Sequence, residues 1–65
     1  MVNTRKIKAL MIANSFTQKS IAKELNISHT SFSLKLHNER EFKASEIIKL
    51  LSLLKISNIE EIFLP

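Results

Sequence analysis

His29, Thr30, Ser33, Leu34 and His37 recur at a spacing that puts them side by side on a helix, and their types are suited to recognition more than to reaction. Hydroxyls can donate or accept, an imidazole can do either through one ring nitrogen, and a leucine tip offers apolar contact. Catalysis asks for more. The two histidines stand eight residues apart with no carboxylate spaced to orient either and no third metal ligand, and the chain contains no Asp, Cys, Tyr, Trp or Gly. Thiolate chemistry and a phosphate-cradling glycine loop are thereby excluded. The chain is expected not to be an enzyme, and to use neither cofactor nor metal.

The elements that must carry this row are legible around it. From Thr17 to Asn38 the chain reads TQKSIAKELNISHTSFSLKLHN, two short amphipathic segments separated only by Leu25, Asn26 and Ile27. That is the spacing of two helices meeting at a sharp angle, a helix-turn-helix. Ile21 and Leu25 face inward one turn apart, Ala22 leaves room for a crossing helix, and Ile27 plugs the turn. Phe32 and Leu36, four apart, carry the inner face of the second segment, which leaves the recognition row on its flanks and outer face.

Helix starts fall at Asn3, Thr17, Ser28 and Lys43. At each, the residue before the cap and the residue four after it are both apolar: Val2 with Ile7, Phe16 with Ile21, Ile27 with Phe32, Phe42 with Ile47. Each pair is a hydrophobic staple that fixes the angle at which the chain joins its helix. Lys43 lacks a cap oxygen, but Glu46 occupies the third helical position, from which a carboxylate can reach back to the cap amide. A fifth helix is expected from Ser57 or Asn58, with Glu60 and Glu61 in its first turn. With no glycine, left-handed positions at helix ends fall to other residues, and Asn14, Asn26 and Asn38 stand where they are needed.

The first helix carries the stripe Ile7, Leu10, Met11. The fourth carries Ile47, Leu50, Leu51 and Leu54, with Ile48 and Leu53 to the sides. Ile59, Ile62, Phe63 and Leu64 then crowd the last segment. A 65-residue domain buries only about 60% of its unfolded surface and cannot easily hide all of these. Two outcomes stay open and can coexist. The tail folds back to close the core, or Ile59, Phe63 and Leu64 form an exposed apolar patch that serves as a dimer interface.

Residues 1–65 read as one domain. Residues 1–43 hold eight Lys or Arg against three Glu, whereas residues 44–65 hold two Lys against three Glu, so the net +4 divides into a +5 front and a −1 back. The basic front contains the recognition row, and a polyanion is the simplest partner for it, although many small soluble domains are equally basic. No apolar run is long enough to span a bilayer and no signal-type segment opens the chain, so the expected setting is the cytoplasm, in association with the nucleoid, without membrane contact.

Thr17, Gln18 and Lys19, followed by IAKELNIS, Phe32 and NEREFKASEI, resemble the lambda-repressor-like or XRE family, which includes the phage Cro and CI repressors. The resemblance covers residues 3 to about 64. It is closest to short Cro-like members with a KLNGKREF type of sequence, here KLHNEREF. It implies an all-α, compact five-helix domain whose helices 2 and 3 form the helix-turn-helix. It further implies binding to double-stranded operator DNA as a homodimer, with Ser28 to His37 in the major groove. By the same matching Gln18 braces that helix and meets a phosphate, His29, Thr30, Ser33 and Leu34 fall at or beside base-reading positions, and Thr17, Lys19, Asn38, Arg40 and Lys43 fall where the DNA backbone is touched. Lys35 joins Lys19 and Arg40 as a cation for salt-sensitive phosphate contacts.

Departures from the family pattern are specific. Asn26 stands for the turn glycine and Glu39 for the one after Asn38, which brings a negative charge near expected phosphates; Met11 and Leu36 stand where many members pair an Arg with a Glu. The function expected is sequence-specific repression by a Cro-like regulator, with the two reading helices of a dimer about 34 Å apart and no small-molecule substrate. A protein-interaction module such as an antirepressor or antitoxin, using the same scaffold, is the alternative.

Overall fold

Helices begin at the expected caps. In the computed structural model, which describes residues 1–63, α1 (Thr4–Ala13) is capped by Asn3, α2 (Gln18–Glu24) by Thr17, α3 (His29–Leu36) by Ser28 and α4 (Ala44–Leu53) by Lys43. Asn3 Oδ1 accepts from the Lys6 amide at 3.2 Å and Ser28 Oγ from the Ser31 amide at 3.0 Å. Thr17 and Ser20 exchange bonds in both directions, with Thr17 Oγ1 accepting from the Ser20 amide at 3.0 Å and Ser20 Oγ from the Thr17 amide at 2.9 Å. Lys43 supplies no side-chain cap; Glu46 Oε1 accepts its amide at 2.9 Å instead. All eight staple residues are buried or half-buried.

Helix ends share one device. After each helix a residue turns left-handed, Ser15 at φ 62, Asn26 at 59, Asn38 at 64 and Lys55 at 58. The next amide then bonds back across the last turn, Phe16 to the Met11 carbonyl, Ile27 to Ala22, Glu39 to Leu34 and Ile56 to Leu51. This satisfies carbonyls that a helix end leaves without partners. Asn26 and Asn38 do what was expected of them, but Asn14 does not. It stays at φ −104, and its amide donates to the carbonyls of Leu10 at 2.8 Å and Leu54 at 3.2 Å, tying the end of α1 to the end of α4. Ser15 takes the turn in its place. Phe16 and Ile27 each close one helix and staple the next, which lets α1, α2 and α3 follow one another with little connecting chain.

The described chain is all-helical and compact, 26 × 24 × 20 Å. Its core is one cluster built from Ile7 and Met11 of α1, Ile21, Ala22 and Leu25 at α2, Phe32 and Leu36 of α3, Leu50 and Leu54 at α4, and Val2 and Ile62 from the two ends. Met11 and Leu36 lie in that cluster, so apolar packing occupies both positions. Phe32 and Phe42 meet edge to face with centroids 6.0 Å apart.

Where a fifth helix was expected there is a single 3-10 turn, Ile59–Glu61, capped by Asn58, whose Oδ1 accepts from the Glu60 amide at 2.9 Å. The chain then runs antiparallel to the N-terminal segment. Val2 bridges Phe63, and the Asn3 amide donates to the Ile62 carbonyl at 2.7 Å. That bridge needs extended backbone at Phe63, which halts helix growth. The tail thus closes the core with Ile62, fully buried and worth about 2 kcal/mol relative to exposure. Ile59 remains 44% exposed, and Ile12 and Ile48 are the most exposed of the isoleucines.

Candidate nucleic-acid interface

α3 presents two faces of different chemistry. From 100° per residue, His29, Thr30, Ser33, Leu34 and His37 span about 140° of its circumference, and the buried Lys35, Phe32 and Leu36 lie outside that arc, with Leu36 bordering His29. His29 and Thr30 are exposed, Ser33 and Leu34 half-buried, and these four together line one open depression of about 250 Å³. All the expected base-reading residues are therefore neighbours on one surface. His37, beyond the last turn, is bound to its own helix: Nδ1 lies 2.8 Å from the Ser33 carbonyl. A carbonyl can only accept, so Nδ1 carries the proton there.

The helices beneath this surface hold it in place. α2 and α3 make the most extensive contact of any two elements described. Ala22, at 1% exposure, leaves the space that permits it. On the other side, Thr4 Oγ1 donates to the Leu36 carbonyl at 2.7 Å, linking the start of α1 to the end of α3.

Two residues expected to face phosphates are engaged inside the molecule. Lys35 is 8% exposed, and its Nζ lies 2.6 Å from Glu46 Oε1. About 60° beyond Phe32 on the helical wheel, on the side away from Leu36, it points toward α4, not toward solvent. The same oxygen of Glu46 accepts the Lys43 amide, so one carboxylate joins α3 to the first turn of α4. Burial of Glu46 works to raise its pKa, but the bonds from Lys35 and the Lys43 amide, with the charges of both lysines, outweigh burial and hold the carboxyl below its ordinary 4.5. Lys35 lies three residues after Phe32, on the inward side, a local hint of its burial, but nothing near it in the sequence marks Glu46, eleven residues on, as its partner.

Asn38 is the second. Its Oδ1 accepts from the Val2 amide at 2.7 Å and its Nδ2 donates to the Val2 carbonyl at 3.0 Å. The side-chain amide pairs with a backbone residue much as a neighbouring strand would. Its left-handed backbone is what turns that amide toward the N-terminal segment.

Thr17, Lys19, Arg40 and Lys43 are exposed, and Gln18 is half-buried at the first position of α2. Thr17 Oγ1 already accepts a bond, and its hydroxyl proton remains available to donate. Lys19 lies on α2, while Arg40 and Lys43 lie in the segment between α3 and α4, so these cations come from both sides of α3 in the chain. Glu39 and Glu41 are exposed in the same segment and offset part of that charge.

Of the expected dimer residues, Ile59 is exposed, Phe63 is half-buried against Val2, and Leu64 lies outside the described residues. Phe63 also borders a cavity of about 360 Å³ with Met1, Val2, Phe42 and Arg40. Among the described residues no group of three His or acidic side chains could hold a metal ion, and no helix is long and apolar enough to cross a membrane.

Fold and surface together define a small all-helical protein with one mixed polar face on α3 and exposed cations on the chain segments before and after that helix. The chain belongs to the family described as Protein of unknown function (DUF739), whose model matches residues 2–64. No match is found among curated proteins or solved structures.

Proposed function

We propose that this chain is a sequence-specific regulator of transcription, a Cro-like repressor of the lambda-repressor-like type, that occupies double-stranded operator DNA as a dimer. In this reading α2 and α3 are the helix-turn-helix, and α3 enters the major groove. The observation that carries it is the shared depression formed by His29, Thr30, Ser33 and Leu34 on a helix whose opposite face is fixed in the core. Thr30 and Ser33 exchange hydrogen bonds with base edges, His29 does so through one ring nitrogen, and Leu34 packs on a thymine methyl.

Phosphates are met by Lys19, Arg40, Lys43, the Thr17 hydroxyl and Gln18, which fix register without reading sequence. Lys35 and Asn38 are left out of that set, because their polar groups are bonded to Glu46 and Val2. A face of so few short side chains discriminates only modestly, so two copies reading half-sites about 34 Å apart supply the rest. Of the residues assigned to the dimer contact, Ile59 is the one the described structure leaves exposed.

Selection of bound duplexes from a random pool tests this directly. Enrichment of a palindromic motif with half-sites one DNA turn apart is the expected result. Recovery of no motif, with binding that salt abolishes equally for every duplex, would overturn it.

A further inference from the structure

We infer that the Lys35–Glu46 pair is a positioning device that sets the rotation of α3 about its own axis, and through it which duplex sequences the His29, Thr30, Ser33 and Leu34 face accepts. This rests on the DNA-reading function proposed above. Phe32 and Leu36, the apolar anchors of α3, lie only about 40° apart on its circumference, nearly one line along the helix. Apolar contact is non-directional, so a helix held along one line can roll on it. Lys35 lies about 60° beyond Phe32, off that line, and its bond to Glu46 is directional and charge-assisted.

The pair does not stand alone. On the α1 side, the Thr4 hydroxyl holds the Leu36 carbonyl, and Asn38 holds Val2 just past the helix end. Lys35 to Glu46 is the matching hold on the α4 side, and Glu46 is in turn fixed by the Lys43 amide. A roll of about 20° at a side-chain radius of 5–6 Å carries the reading atoms about 2 Å. Hydrogen bonds to base edges tolerate only a few tenths of an ångström, so a shift of that size exchanges one set of base contacts for another or for none.

Lys35→Met with Glu46→Gln removes the charge bond and little else. Methionine fills the volume of the lysine stem, and glutamine keeps an acceptor for the Lys43 amide at the third helical position. The thermal midpoint is expected to stay close to that of the unaltered chain, because replacing both members leaves no unpaired buried charge. The measured quantity is the ratio of affinities for the selected motif and for random duplex at one salt concentration. This ratio is expected to fall about tenfold, the weight of one base contact, while random-duplex affinity holds within about twofold.

Lys35→Arg, which keeps the charge bond, is expected to keep the ratio. Should the double variant lose its fold, Lys35→Gln with Glu46→Gln serves, since it also leaves no unpaired buried charge and keeps a neutral hydrogen bond, with a smaller fall expected. An unchanged ratio in either double variant sinks the positioning role. A chain that enriches no motif in the first place overturns the DNA-reading proposal and this inference with it, so the two failures are told apart by the unaltered protein.

Discussion

Replacing each of the four left-handed residues by glycine separates backbone strain from side-chain function at four equivalent sites. Ser15, Asn26, Asn38 and Lys55 occupy the same place after their helices at φ between 58 and 64, yet only two are of a type that tolerates it. A residue with a Cβ and no local hydrogen bond costs about 1–2 kcal/mol there, against about 0.5–1 kcal/mol of extra chain entropy that glycine loses on folding. Lys55→Gly and Ser15→Gly should therefore stabilise by roughly 0.5–1 kcal/mol each. Asn26→Gly removes a side chain that already tolerates the conformation, and should fall within about 0.5 kcal/mol of zero. Asn38→Gly relieves little strain and deletes both bonds to Val2, at 2.7 and 3.0 Å, so it should destabilise by about 1–2 kcal/mol.

A chain of this length has a total stability of roughly 3–10 kcal/mol, and 1 kcal/mol moves its midpoint by about 4–8 °C. Differences of this size are readily resolved by thermal unfolding followed by circular dichroism at one pH and concentration. An Asn38→Gly chain as stable as Lys55→Gly, or a Lys55→Gly chain less stable than its parent, would refute the account of these turns.

Three further outcomes are expected. Lys19→Ala should weaken binding to every duplex alike and flatten the salt slope by about 1, read from titrations at several salt concentrations; a loss confined to one sequence would instead make Lys19 a base reader. Because the folded-state pKa of Glu46 is depressed, its contribution to stability is fully present above the unfolded value of about 4.5 and is lost as pH falls through the lower folded value. Denaturant unfolding at about pH 6, 4 and 3 should show a steeper acid loss in the parent than in Glu46→Gln, and parallel curves would mean that Glu46 is not the group responsible. Ile59→Lys, on a 44%-exposed side chain, should leave the unfolding midpoint nearly unchanged and abolish cooperative binding to a two-half-site duplex; cooperativity that survives would move the dimer contact elsewhere.

Local signals with short reach were the legible ones. Caps and staples at Asn3, Thr17, Ser28 and Lys43 depend on residues within five positions, and all four helices begin there. The outward row of α3 follows from periodicity alone, and its four leading members share one surface. Contacts across the chain were not legible. Lys35 looked like any surface cation because its partner lies eleven residues away on another helix. Asn38 looked like a polar loop residue because Val2, thirty-six residues away, decides what its amide does. The last helix failed for the same reason: a tail pairing with Val2 competes with helix growth, and no pattern within Ser57 to Phe63 records that competition.

The turn after α3 differs from the other three in a way that bears on the surface cations. After α1, α2 and α4 the amide that closes the helix belongs to Phe16, Ile27 or Ile56, each half-buried against the core, and this draws the chain inward at once. After α3 it belongs to Glu39, which is exposed. No apolar group pulls the chain in until Phe42 meets Phe32, so residues 39–41 stay at the surface and carry Arg40 there. Asn38 fixes where that excursion begins and Glu46, by holding the Lys43 amide, fixes where it ends. Glu39 thus takes negative charge to the surface, but its polar side chain is also what keeps this segment outside the core. An apolar residue there should retract Arg40 from any phosphate even as it removes the opposing charge. Glu39→Gln, which keeps the side chain polar, should therefore strengthen DNA binding, whereas Glu39→Leu should strengthen it less or not at all.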